Sequence, residues 1–175
     1  MNYSATPASN SIFMASLEGT NWFLISSAAN KLDFYGTATN VIQKSFTTTL
    51  RTFNGADDLG NTSHIVTTDS GLLDSQICLW DRTLGNNNSS TVSCNTQVLA
   101  SIGKVKRLQD GQHIAVGSGN TALKVYNTAT AYTLVQTIDF GLTILVYSRF
   151  SLGSTIVVLT STNVKFVDWQ PLSAI

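Results

Sequence analysis

The sequence predicts an all-β fold of propeller blades: four-stranded antiparallel meanders, about four of them, in a ring that is incomplete or completed by a partner. Three observations predict it. First, four stretches share one pattern, a polar turn followed by a strand that ends in a bulky residue. They are Lys31-Leu32-Asp33-Phe34-Tyr35-Gly36, Asp74-Ser75-Gln76-Ile77-Cys78-Leu79-Trp80-Asp81, Ala122-Leu123-Lys124-Val125-Tyr126-Asn127 and Asn163-Val164-Lys165-Phe166-Val167-Asp168. Aligned on Tyr35, Trp80, Tyr126 and Val167, they recur at spacings of 45, 46 and 41 residues, a blade-like period. Second, a glycine precedes the second strand of each unit: Gly19, Gly60, Gly111 and Gly153. Turn chemistry and apolar periodicity therefore agree. Third, Ser, Thr and Asn stand where Lys and Glu are usual, and these side chains suit strands and turns better than helix interiors.

Residues 1–10 are polar and read as a flexible N-terminal segment. The repeat then covers 11–175, in units of about 11–47, 48–100, 101–140 and 141–175. The first unit has strands over 11–16, 22–27, 31–36 and 41–46, with 22–27 a buried apolar run. The second has a less clear strand over 48–53, a turn cluster over 57–61, and strands over 64–69 and 76–82. A low-complexity loop over 85–90 follows, then a fourth strand over either 91–94 or 97–100. In the third unit, strands over 104–108 and 113–118 flank Asp110-Gly111, a hairpin turn in which glycine accepts positive φ. Strands over 123–127 and 134–138 close that blade. The fourth unit has strands over 143–147, 155–159 and 164–169, a turn over 152–154, and no fourth strand. Residues 2–9 are poorly composed for supplying one.

The residues now on the page resemble the WD-repeat β-propeller family. Asp74 to Asp81 looks like that family's third strand with its preceding Asp, and Leu108 to Ser118 like its first hairpin and second strand. The likeness runs from about residue 11 to 169. The family's Gly-His pair at the blade entrance is absent from all four units, so the resemblance does not carry over a tetrad of Asp, His, Ser and Trp. It implies a rigid scaffold for protein complexes, with a protein partner or partners completing or capping the propeller. A four-stranded sheet has two apolar faces to cover, and an unpaired strand edge invites another chain.

Composition narrows the function. Ten Lys and Arg balance ten Asp and Glu, and only 11% of residues are charged. That excludes the cationic surface needed to displace counterions from nucleic acid. No apolar run is long enough to span a membrane, and residues 1–7 lack the pattern of a secretion signal. An intracellular, cytoplasmic location is expected. Cys78 and Cys94 make no disulfide framework; two reduced thiols are expected, with a bridge between them left open. Sequons at Asn2, Asn61, Asn87 and Asn88 are read as chance in an Asn- and Ser-rich chain.

No catalytic residue, metal site or cofactor site is expected, and the chain is not read as an enzyme. His64 and His113 begin the second strands of their units and read as packed repeat positions. A general base needs a nucleophile within hydrogen-bond reach and an orienting group, and no spacing supplies them. Asp57-Asp58 reads as a solvated turn, and Asp69 and Asp74 bracket a loop without companions. Lys104, Lys106 and Arg107 form the basic cluster, with Lys104 and Lys106 on one strand face. Trp80 is expected in the core. Trp169, on an unpaired last strand, is the interface candidate, because Trp is enriched at binding hot spots. Lys104, Lys106, Arg107 and Trp169 are thus the candidate partner-binding residues. Two alternatives are a four-bladed ring binding a small ligand, or catalysing, at its axial channel, and a secreted carbohydrate-binding propeller.

Overall fold

A computed structural model of the chain describes residues 14–17, 22–28, 30–36, 38–39, 41–49, 51–60, 64–72, 74–81, 83, 91–97, 102–118, 121–130, 132–149 and 155–170. The sequence readings on residues 1–13, Gly19, the 85–90 loop, the 152–154 turn and three of the sequons (Asn61, Asn87, Asn88) lie outside them. Among the described residues fifteen strands form four antiparallel sheets. The first holds β1 (Met14–Ser16), β2 (Trp22–Ala28), β3 (Lys31–Gly36) and β4 (Val41–Thr47) in sequence order. The second holds β5 (Thr52–Asp58), β6 (His64–Ser70), β7 (Ser75–Asp81) and β8 (Thr91–Gln97). The third holds β9 (Ile102–Arg107), β10 (His113–Ser118), β11 (Ala122–Asn127) and β12 (Thr133–Asp139). The fourth holds, among the described residues, only β13 (Ile144–Arg149), β14 (Thr155–Thr160) and β15 (Val164–Asp168). Each sheet is a blade-like meander. The four aligned residues take equivalent places on third strands: Tyr35 faces Phe23, Trp80 faces Ile65, Tyr126 faces Ile114 and Val167 faces Ile156.

The chain divides into two compact units, Met1–Val105 and Lys106–Ile175, with the division inside β9. In the first unit, Leu24, Leu32, Phe34, Phe46, Phe53, Ile65 and Trp80 form one core from the first and second sheets. Phe46 of β4 stacks on Trp80 of β7 with centroids 4.9 Å apart, and Phe34 meets Phe46 edge-on at 4.8 Å. In the second unit, Leu108, Ala115, Leu123 and Val125 pack with Tyr147, Ile156, Val158 and Trp169.

Three local expectations are corrected. The first strand of the second sheet is β5 at Thr52–Asp58, not 48–53. Asn54, Gly55, Asp57 and Asp58 look like turn residues but lie in the strand. A Cβ on Gly55 would stand 2.7 Å from the Lys104 Cα and 2.8 Å from the Val105 nitrogen, so this glycine serves close approach. Asp57-Asp58 is not a solvated turn either: Asp58 is buried and accepts from the Gly60 N–H at 2.7 Å, where Gly60 takes φ 73°. Finally, Cys78 and Cys94 form a disulfide instead of two thiols. The register of β7 on β8 sets them directly opposite, with Cα atoms 4.1 Å apart, and only that register reveals the pairing. β8 also decides between the two fourth-strand readings in favour of the one beginning at Thr91.

Two substitutions test this packing by urea unfolding. Trp80→Ala should cost about 3–5 kcal/mol, as truncation of a buried indole does; a loss under about 1 kcal/mol would contradict its central place. Cys94→Ala should cost about 3 kcal/mol, the chain-entropy value for a bridge of 16-residue separation.

Candidate functional site

Two polar arrangements stand out, one in each unit. In the first, Arg51 precedes β5 and reaches the turn between β6 and β7. Its Nε donates to Asp69 and its Nη1 to Asp74 at 2.6 Å. Asp69 is fully buried. The turn is tied by the Gly71 N–H to the Asp74 carbonyl at 2.8 Å, and a Cβ on Gly71 would stand 2.8 Å from Arg51 Nη1. Nearby, Trp80 Nε1 donates to Thr67 Oγ1 at 2.8 Å, buried. Asp69 and Asp74 therefore have the companion that sequence reasoning denied them. Arg51 lies 18 and 23 residues away along the chain, beyond any local motif. Arg51 thus holds together a carboxylate of β6 and one of the turn before β7.

In the second unit the site is made by an unfinished sheet. Along β13 to β15, Val146 registers with Leu159, and Leu159 with Val164. These three lie on one face with Phe166, and all are exposed, Phe166 by 69% and Val164 by 51%. The opposite face, with Tyr147, Ile156, Val158 and Val167, packs into the core. Among the described residues β15 has no strand on its outer side. Beside its end lies a cleft of about 400 Å³ lined by Gln136, Ile138, Val167, Asp168, Trp169 and Gln170.

Trp169 is 4% exposed, and its ring sits 4.8 Å from that of His113. His113 Nδ1 in turn meets Asp110 Oδ2 at 2.6 Å, an i,i+3 pair across the β9–β10 turn. The Trp169 ring is thus part of the core, while its buried indole Nε1 has no acceptor. Lys104 is exposed on β9, Val105 is buried, and Lys106 and Arg107 are half-buried. Neither Lys106 nor Arg107 lines the Trp169 cleft. The cleft partners Gln136 and Ile138 were missed, since nothing local ties β12 to residues thirty positions further on.

The arrangement offers apolar surface, amides and strand edge, which are the means of recognising polypeptide. Among the described residues no group of three His, Cys, Asp or Glu side chains is placed to hold a metal ion. None of their helices is long and apolar enough to cross a membrane.

Over 91% of its length the chain matches 50% of a chain in the crystal structure of a mitotic checkpoint complex, with a TM-score of 0.69 and 13% sequence identity. At that identity the likeness concerns the fold. The present chain spans about half the length of the solved chain it matches. No protein-family model and no curated protein matches the sequence.

The Arg51 network has a pH signature. Burial pushes the Asp69 carboxyl above its ordinary range, opposed by the hydrogen bond and charge of Arg51 and reinforced by Asp74. Burial also works against the Arg51 charge, but its bonds to Asp69 and Asp74 outweigh that and raise its pKa. Because the folded-state value for Asp69 lies above the unfolded one, its contribution is full below the unfolded carboxylate range and is lost as pH rises through the folded value. Arg51→Met should cost about 3–5 kcal/mol at neutral pH, as removal of one partner of a buried pair does. It should also steepen the loss of stability from acid to neutral pH, while Asp69→Asn flattens that slope. Urea midpoints across that range check both; parallel slopes in all three proteins would contradict the account.

Proposed function

We propose that this chain is a segment of a WD-repeat-type propeller and serves as a non-catalytic scaffold for protein–protein contacts in an intracellular assembly. One observation carries the reading: the fourth sheet is covered on one face and open on the other. Val146, Leu159, Val164 and Phe166 form a continuous apolar surface on that open face. Their third-strand counterparts in the first and third sheets, Leu32 and Phe34, and Leu123 and Val125, are buried. A sheet with two apolar faces gains roughly 25 cal/mol for each Å² it removes from water, so this face is built to be covered. The likeness in fold to a chain from a solved multiprotein complex supports the same reading. The Cys78–Cys94 bridge adds a condition on the compartment: oxidising surroundings keep it, and reducing ones open it.

The test uses the full chain, tagged, in the cells that make it. Phe166→Asp places a charge on an exposed position and should leave the unfolding free energy within about 0.5 kcal/mol of the native value. It should release the chain from its assembly, seen as a shift from large to small hydrodynamic size. A native chain that already runs alone, or a Phe166→Asp chain that stays assembled, would remove the scaffold reading.

A further inference from the structure

We infer that the cleft beside Trp169 takes an extended segment of a partner protein, which adds to β15 as the fourth strand of its sheet and sets a carbonyl oxygen against the Trp169 indole N–H. The inference rests on the scaffold reading and names its docking site. Three observations carry it.

The first is the overhang of the third sheet. Gln136 and Ile138 of β12 register with Val125 and Leu123 of β11, both fully buried, so all four share one face. Val125 and Leu123 pack with Ile156, Val158 and Tyr147 of the fourth sheet. Gln136 shares their face yet is exposed. Among the described residues the third sheet has a fourth strand here and the fourth sheet has none, so the inner face of β12 borders a groove where that strand would lie.

The second is the indole. Trp169 lines the groove, is 4% exposed, and keeps a buried N–H without an acceptor. A buried donor left unpaired costs about 1–3 kcal/mol, which a bound carbonyl would recover.

The third is the chemistry of the lining. Gln136 and Gln170 both donate and accept, Asp168 brings a negative charge, and among the described residues no Lys, Arg or His lines the groove. Anions are therefore disfavoured, and a peptide group, with one donor and one acceptor, matches. β15 is five residues long, about 17 Å at strand rise, so five or six residues of the segment would pair with it. Alternation then fixes the segment's sequence class. Residues beside Val164 and Phe166 are apolar, and those facing Gln136 are small or amide-bearing and uncharged.

A random peptide library displayed on phage, selected against the full chain, tests this. A selected peptide is titrated into isotope-labelled protein. The expected binder shows the stated alternation, slows exchange of the β15 amides that face away from β14, and moves the Trp169 indole N–H resonance. Trp169→Phe keeps a ring but removes the donor, and should weaken binding about 3- to 10-fold. Gln136→Arg puts a long side chain into the groove from an exposed position and should weaken it at least about tenfold, the effect of a clash built against a binder. Gln43→Arg, on an exposed site of β4, should change nothing. Failure to select any peptide, peptides indifferent to both cleft substitutions, or β15 amides already protected in the free chain would each overturn the inference. If the native assembly withstands Trp169→Phe and Gln136→Arg but not Phe166→Asp, the cleft proposal falls and the scaffold reading stands.

Discussion

Phe46 lies flat on Trp80, and through that contact the first two sheets keep each other dry. The same requirement governs the rest of the described structure. A blade has apolar residues on both faces, and neither face is stable in water without a neighbour. In the first unit the core residues of two sheets interlock around Trp80. In the second, Leu123 and Val125 do the same with Ile156 and Val158. The fourth sheet meets the requirement on one face only. Its other face carries Val146, Leu159, Val164 and Phe166 in the open.

Polar groups are arranged to serve this stacking. Trp80 is held by Thr67, so its ring is fixed in the plane that receives Phe46. Arg51 ties the turn before β7 to the chain entering β5, through two carboxylates. Lys44 is buried, with its Nζ 5.3 Å from the centre of the Phe46 ring. Burial lowers its pKa, and the charge of Asp81 opposes the fall. A chain with 11% charged residues thus spends several of them inside, where a missing partner is costly.

Much of the fold was legible because third strands repeat a local pattern. The stretch ending in Trp80-Asp81 and its three counterparts needed only spacing to be placed. What failed depended on distant chain. Asp57 and Asp58 read as the start of a turn over 57–61 because aspartate and glycine are turn residues, yet both lie in β5; Gly55, in the same strand, is there for the Lys104 and Val105 backbone. The disulfide depends on the pairing register of β7 and β8, which no spacing of Cys78 and Cys94 reveals. Of the candidate site, the unfinished sheet and Trp169 were visible in the sequence. The cleft was not, because its other wall is Gln136 and Ile138. They belong to another sheet, and a glutamine in a strand carries no signal of its own.

Among the described residues, three strands in place of four, an apolar face without cover and an indole donor without an acceptor all lie in the fourth sheet or at its end. They describe one unfinished surface, and the functional reading depends on its being occupied in the working assembly. Hydroxyl-radical footprinting of the purified chain and of the native assembly measures this directly. Labelling of Phe166, Val164 and Leu159 should fall several-fold in the assembly, while Leu72, 92% exposed on the turn before β7, is labelled equally in both. Equal labelling of Phe166 in the two states would contradict the account.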